Sequence, residues 1–326
     1  MANSIKIVAI VAVAAIGCLV GAYALRDSEE QVAQTPIAQN DKPTQTTDAQ
    51  TQTEPEAIAA QRKVSEDAKR DYESGKDADD EGDYAKAAEY YEKACDADHA
   101  EACNNLGYGY DSGEGVEQDK VKAAALYKKA CDLGDMLGCA NLGYLYASGQ
   151  GVEQDYEKAV QLYEKACDAD ESSGCTNLGY AYDMGEGVEQ DYKKAAKFYE
   201  KACDGDDMLG CNNLGYLYSE GKGVRLNHKK ATAFFKKACD GDEPLGCSSL
   251  GYAYHEGNGV KVDYEKAAEL YEKGCDGDEP LGCYNLAELY QDGKGVKKDA
   301  KKALEYYEKS CELGDGDACD KAEELK

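Results

Sequence analysis

The residues of this 326-residue chain best equipped for chemistry are its cysteines. Fourteen of the fifteen form seven Cys-x7-Cys pairs that recur every 36 residues. The pairs are Cys95 with Cys103, Cys131 with Cys139, Cys167 with Cys175, Cys203 with Cys211, Cys239 with Cys247, Cys275 with Cys283 and Cys311 with Cys319. Regularly spaced thiols can hold a metal, attack a substrate or close disulfides. Zinc sites place two to four residues between paired thiols, and His99, His228 and His255 form no local ligand pair. Neither a metal nor a cofactor is therefore expected. An even set of paired cysteines reads instead as a disulfide framework, and so as an oxidising compartment. Eight residues along one helix cover about 12 Å, beyond the ~7 Å that a bridge tolerates between Cα atoms. The chain must turn inside each pair, as Asp204-Gly205-Asp206 can.

The elements that position these pairs follow from the repeat itself, since a fixed period of this length means a stacked array instead of one closed core. In the stretch 174–207, Cys175, Leu178, Gly179 and Tyr182 fall at i, i+3, i+4 and i+7, one face of a helix; Ala195, Phe198, Tyr199 and Ala202 repeat that spacing. Asp119, Asp155, Asp191, Asn227, Asp263 and Asp299 stand where the second helix needs an N-cap. Between the helices runs Gly-x-Gly-Val, as in Gly185 to Val188. Such a motif can cradle phosphate, but here it follows a helix and lacks the Lys-Ser/Thr or third glycine that a cradle needs. It predicts a left-handed helix C-cap and a tight turn, with the valine buried. No segment suggests a strand. The expected fold is all-α, a right-handed superhelical solenoid of disulfide-bridged helix pairs.

The remaining segments complete the plan. Lys6 precedes the apolar run 7–25, and Ala22-Tyr23-Ala24 offers a small-x-small cleavage site. Two readings fit residues 1–24: an export signal ending near Ala24, or an uncleaved anchor to the inner membrane over 7–25. Cys18 follows Ala15-Ile16-Gly17, a poor lipoprotein pattern. Residues 25–59, rich in Gln and Thr with three prolines, read as a disordered tether. Residues 60–98 form a degenerate leading helix pair, 99–315 six full repeats, and 316–326 a charged capping half-repeat.

Leu-Gly-x-x-Tyr, Gly-x-Gly-Val, the capping Asp, Lys-Ala and Tyr-x-Lys-Ala-Cys, at a period of 36, resemble Sel1-like repeats. The paired cysteines and the leading GDYAKAAEYYEKACD narrow the resemblance, over about 66–326, to the Helicobacter cysteine-rich protein family. It implies a solenoid secreted to the periplasm or beyond the cell. Members of that family are described as binding penicillin and hydrolysing β-lactams slowly, and Sel1-like repeats more broadly resemble tetratricopeptide repeats and act as adaptors. The residues give the hydrolase reading little. A serine β-lactamase needs Ser-x-x-Lys at a helix start with Ser-Asp-Asn and Lys-Thr-Gly. Here Ser219-Glu220-Gly221-Lys222 ends a first helix and both companions are missing, so no catalytic residue is assigned.

By the same resemblance two columns of each first helix line a concave groove. They are Tyr108, Tyr144, Tyr180, Tyr216 and Tyr252, beside Asn105, Asn141, Asn177, Asn213 and Asn285, with Ser249 breaking the series. Asparagine both donates and accepts, so a row of them can hold an extended backbone; tyrosine adds rigid area with a polar tip. The structural alternative is that these residues pack between repeats. Asp111, Asp183, Glu220, Glu256 and Asp292 lie nearby, and the net charge is −28. That field disfavours nucleic acid and favours basic or neutral peptide segments. The reading is a monomeric, exported scaffold for protein segments, with binding centred on the middle repeats. A β-lactam- or peptidoglycan-binding protein is the alternative.

Overall fold

The computed structural model describes the backbone of residues 53–326 and side chains from residue 65 on. The chain divides into two units, residues 1–63 and 64–326, and the repeat array is the second. The apolar run 7–25 and most of the tether lie outside the described residues. Helix α1 begins at Thr53, so residues 53–59, read from sequence as tether, are helical, with Pro55 in the first turn where it is tolerated.

Fifteen helices and no strand occur among the described residues. The leading pair is α1 (Thr53–Asp80) and α2 (Tyr84–Asp96). Six pairs follow: α3 (Ala100–Ser112) with α4 (Lys120–Asp132), α5 (Met136–Ser148) with α6 (Tyr156–Asp168), and α7 (Ser172–Met184) with α8 (Tyr192–Asp204). Then come α9 (Met208–Glu220) with α10 (His228–Asp240), α11 (Pro244–Glu256) with α12 (Tyr264–Asp276), and α13 (Pro280–Asp292) with α14 (Ala300–Glu312). Helix α15 (Gly316–Glu324) closes the array. From α2 to α15 each helix packs on the next, and each odd-numbered helix from α3 also touches the next odd one as far as α13. The fold is the expected solenoid of helix pairs.

Local chemistry explains the boundaries. In α8 the Asp191 carboxylate accepts from the Lys193 and Lys194 amides, and the equivalent Asp or Asn caps the second helix of each full pair, from α4 to α14. The first glycine of each Gly-x-Gly ends a first helix in the left-handed conformation, as at Gly185 with φ 76°. The second glycine has a further reason: a Cβ on Gly187 would strike the Tyr156 carbonyl of the preceding pair, so the loops stack in one continuous row. The valines that follow are half-buried, short of the full burial expected. Buried Tyr127, Tyr163, Tyr199, Tyr271 and Tyr307, with Phe235 in the same column, fill the space between the two helices of each pair.

Every Cys-x7-Cys pair is bridged across the turn between helix pairs. Cys95 is joined to Cys103, Cys131 to Cys139, Cys167 to Cys175 and Cys203 to Cys211. Cys239 is joined to Cys247, Cys275 to Cys283 and Cys311 to Cys319. The bridged Cα atoms lie 4.4–4.8 Å apart, as the turn inside each pair requires. Six of the seven bridges are buried at both ends; in the last, Cys311 and Cys319 are half-buried, because only the short α15 covers that end.

Five of these turns use an Asp in the left-handed region, Asp98, Asp170, Asp206, Asp242 and Asp278. Asp tolerates it better than most residues. Each of the five also meets a lysine from the next pair: Lys129, Lys201, Lys237, Lys273 and Lys309 lie 2.8–3.2 Å from those carboxylates. The same lysines, with Lys165, donate to the carbonyl of the first cysteine one repeat back, at 2.5–3.0 Å. A bridge ties two consecutive pairs, and a lysine from the second helix of the later pair locks the same joint.

Candidate binding groove

The asparagine and tyrosine columns do not form one uniform row. Tyr108 and Tyr144 are 55% and 41% exposed, whereas Tyr180, Tyr216 and Tyr252 are half-buried. Asn105, Asn141, Asn177 and Asn213 are half-buried as well. Asn285 is only 1% exposed, so it is out of reach of a segment lying in the groove and leaves the set. Asn141 donates to Asn104 of the preceding pair at 2.9 Å, so part of this column does bridge neighbouring repeats.

The central repeats are the more tightly committed. The Lys222 ammonium donates to the Tyr216 hydroxyl at 3.1 Å and sits over the rings of Tyr216 and Tyr192. Tyr199 donates to the buried Asp183 carboxylate at 3.4 Å. Burial pushes the Asp183 carboxyl above its ordinary value, with Lys222 opposing. Of the acids named from sequence, Asp111 is paired with Lys120 at 2.7 Å and Asp292 with Lys294 at 2.9 Å. Glu220 and Glu256 remain exposed.

Ser219 donates to the Tyr216 carbonyl at 2.8 Å. Lys222 is held above its ordinary value, chiefly by the Tyr216 hydrogen bond, and so stays an ammonium. A Ser-Lys nucleophile needs a neutral lysine aimed at the serine; here each partner faces tyrosine instead.

Space opens at the N-terminal end. A cavity of about 580 Å³ there is lined by Asn105, Tyr108 and Asn141 from the sequence-derived set. It is also lined by Asp79, Asp80, Tyr84, Asn104 and Glu114, which the sequence reading missed. Among the described residues, no lysine, arginine or histidine lines it. Tyr91 forms part of its wall, donating to Asp79 at 3.3 Å, and its hydroxyl is pushed up to about 12, first by burial. Carboxylates, amides and phenols converge here, a donor set that suits a cationic side chain on an extended backbone. The missed acids Asp79 and Asp80 sit on the degenerate leading pair, where no repeat column flags them.

Bridged helix pairs stacked with a lysine lock define the class: a disulfide-closed helical repeat solenoid. The Sel1 repeat family model matches seven stretches, 59–99, 100–135, 137–171, 172–207, 209–243, 244–279 and 280–315. The chain belongs to the Sel1 repeat family, and the degenerate leading pair counts among its repeats. It is similar to a Sel1 repeat protein from Oxalobacter formigenes, at 27% identity and TM-score 0.67, over 74% of this chain and 99% of that one. It is similar also to c5321, a protective antigen of uropathogenic Escherichia coli, at 30% identity and TM-score 0.54, covering 82% and 66%. Cysteine-rich protein B of Helicobacter pylori matches 40% of this chain and 93% of its own length at 38% identity, with TM-score 0.34. No curated protein matches the chain. Among the described residues no helix is long and apolar enough to cross a membrane. Seven disulfides suit an oxidising, exported environment.

Proposed function

We propose that this chain is an exported scaffold that binds extended, basic or neutral segments of partner proteins along its first-helix face, with the N-terminal cavity as the anchoring point. The observation that carries this reading is the lining of that cavity, where Asp79, Asp80 and Glu114 meet Asn105, Asn141 and Tyr108 without a cation among the described residues. A lysine or arginine of the bound segment would enter the cavity, while neighbouring asparagines hold its main chain. The membership in a repeat family whose folds mediate protein–protein contact agrees with it. Calorimetric titration with an alternating Lys-Ala decapeptide, beside a Glu-Ala decapeptide, tests it. Binding of the first and not of the second is expected; equal binding of both, or of neither, contradicts the reading.

A further inference from the structure

The loops that join the two helices of each full pair carry a charge pattern whose outer column is not among the groove residues. One exposed position, two residues after the second glycine, holds Glu117, Glu153 and Glu189 in the first three full pairs and Arg225, Lys261 and Lys297 in the last three. Among the described residues, none of these six lies within ion-pair distance of an opposite charge in its own chain. The position between the two glycines follows the same order: Glu114, Gln150 and Glu186, then Lys222, Asn258 and Lys294. Along the array, the first column is three negative then three positive, and the second is negative, neutral, negative, positive, neutral, positive.

The next column changes with them. Gln118, Gln154 and Gln190 each donate to a carbonyl of their own first helix, at 2.9, 2.8 and 2.6 Å. Leu226, Val262 and Lys298 replace them, and Leu226 and Val262 stand 54% and 52% exposed. The last three loops have thus exchanged a self-satisfying amide for outward apolar or cationic side chains.

We propose that this loop row pairs with the same row of a second copy, antiparallel about a two-fold axis between Glu189 and Arg225. Such an axis brings Glu189 to Arg225, Glu153 to Lys261 and Glu117 to Lys297, each twice, because both rows share one 36-residue spacing. The inner column is ordered in the same register, Glu186 opposite Lys222, Gln150 opposite Asn258 and Glu114 opposite Lys294. Lys222 and Lys294 already meet Tyr216 and Asp292, and Glu114 lines the N-terminal cavity, so the outer column carries the contact. A parallel alignment would set like charges together. A three-repeat offset would leave half the charges unmatched and the contact open-ended. Beside the axis, Arg225, Leu226, Lys229 and Lys230 line a cavity of about 830 Å³, room for the second copy's acidic loop. The sequence reading expected a monomer; the mirrored order of charges in the outer column argues for a closed dimer, independently of the groove.

Sedimentation of the full chain in mild detergent, with variants at the two positions nearest the axis, tests this. Glu and Arg both occur at this position in other repeats, so the substitutions fit the loop, and circular dichroism checks helix content. Wild type should dimerise. Arg225→Glu alone and Glu189→Arg alone should each weaken the dimer about tenfold or more, since each change counts twice. The double variant, Glu189→Arg with Arg225→Glu, should restore it, and an equimolar mixture of the two single variants should form heterodimers. A monomeric wild type, or single variants that dimerise as wild type does, overturns the proposal.

Discussion

The first three full pairs and the last three share one frame and differ in what they show to solvent. Bridges, Asp or Asn caps and lysine locks run through both halves nearly without exception. The loops do not: Glu-Gln in residues 117–118, 153–154 and 189–190 becomes Arg-Leu, Lys-Val and Lys-Lys at 225–226, 261–262 and 297–298. The groove differs in the same sense, with Tyr108 open at one end and Tyr216 clamped by Lys222 further along. What the repeat holds constant is what stacking requires; what varies between halves is free to serve partners.

Damage to the frame should therefore be large and equal in both halves. Gly187→Ala and Gly259→Ala each put a Cβ into a carbonyl of the preceding pair, at left-handed φ of 71° and 78°. Each should cost about 3 kcal/mol or more, read by urea unfolding. Removing a bridge, by Cys167→Ala with Cys175→Ala or by Cys239→Ala with Cys247→Ala, should cost about 2.5 kcal/mol by the chain-entropy relation for so short a loop. Unequal losses between halves would mean that the frame is not shared.

Damage to the loops should be smaller and unequal. Gln154→Ala removes the amide bond to the Ala147 carbonyl and should cost about 1 kcal/mol. Leu226→Gln should be neutral or stabilising, because it offers loop 221–227 the bond that the earlier loops make. If Leu226→Gln destabilises the fold as much as Gln154→Ala does, the apolar side chain is structural and the contrast fails.

Burial of carboxylates gives the smallest expected effect. Asp183, Glu186 and Glu288 are all held above their ordinary values, first by desolvation. A carboxyl raised in the fold binds its proton more readily there than in the unfolded chain. Its stabilisation is full below the unfolded value and is lost as pH rises through the folded one. The melting temperature should therefore rise modestly from pH 7 to pH 5, the carboxyls outweighing His255, which burial holds below its ordinary value and which loses stability on acidification. Asp183→Asn should flatten that rise. A fall in the wild-type melting temperature over this interval would contradict the sign.

Much of the frame was legible because each part of it is written six or seven times. The cysteine spacing demanded a turn, as the bridge from Cys203 to Cys211 shows, the Gly-x-Gly a left-handed cap, and Asp191 and its counterparts an N-terminus. The lysine locks were not legible: Lys201 reaches the Cys167 carbonyl 34 residues back, while in sequence it looks like one more solvated helix lysine. The candidate cavity was half legible. Asn105, Tyr108 and Asn141 belong to repeating columns, but Asp79 and Asp80 come from the leading pair, where the pattern has degenerated. Asn285 shows the opposite error, since a repeating column does not guarantee repeating exposure.

The groove reading turns on which end of the first-helix face anchors a ligand. The Lys-Ala decapeptide should be titrated against wild type, against Asp80→Asn with Tyr108→Ala at the cavity, and against Asn177→Ala with Tyr216→Ala at the centre. All four positions are exposed or half-buried, so helix content should hold throughout. Affinity should fall about tenfold for the cavity variant, as expected when one charged and one aromatic partner are removed, and by a smaller factor for the central one. A cavity variant that binds as wild type does, or a larger fall at the centre, would contradict the account.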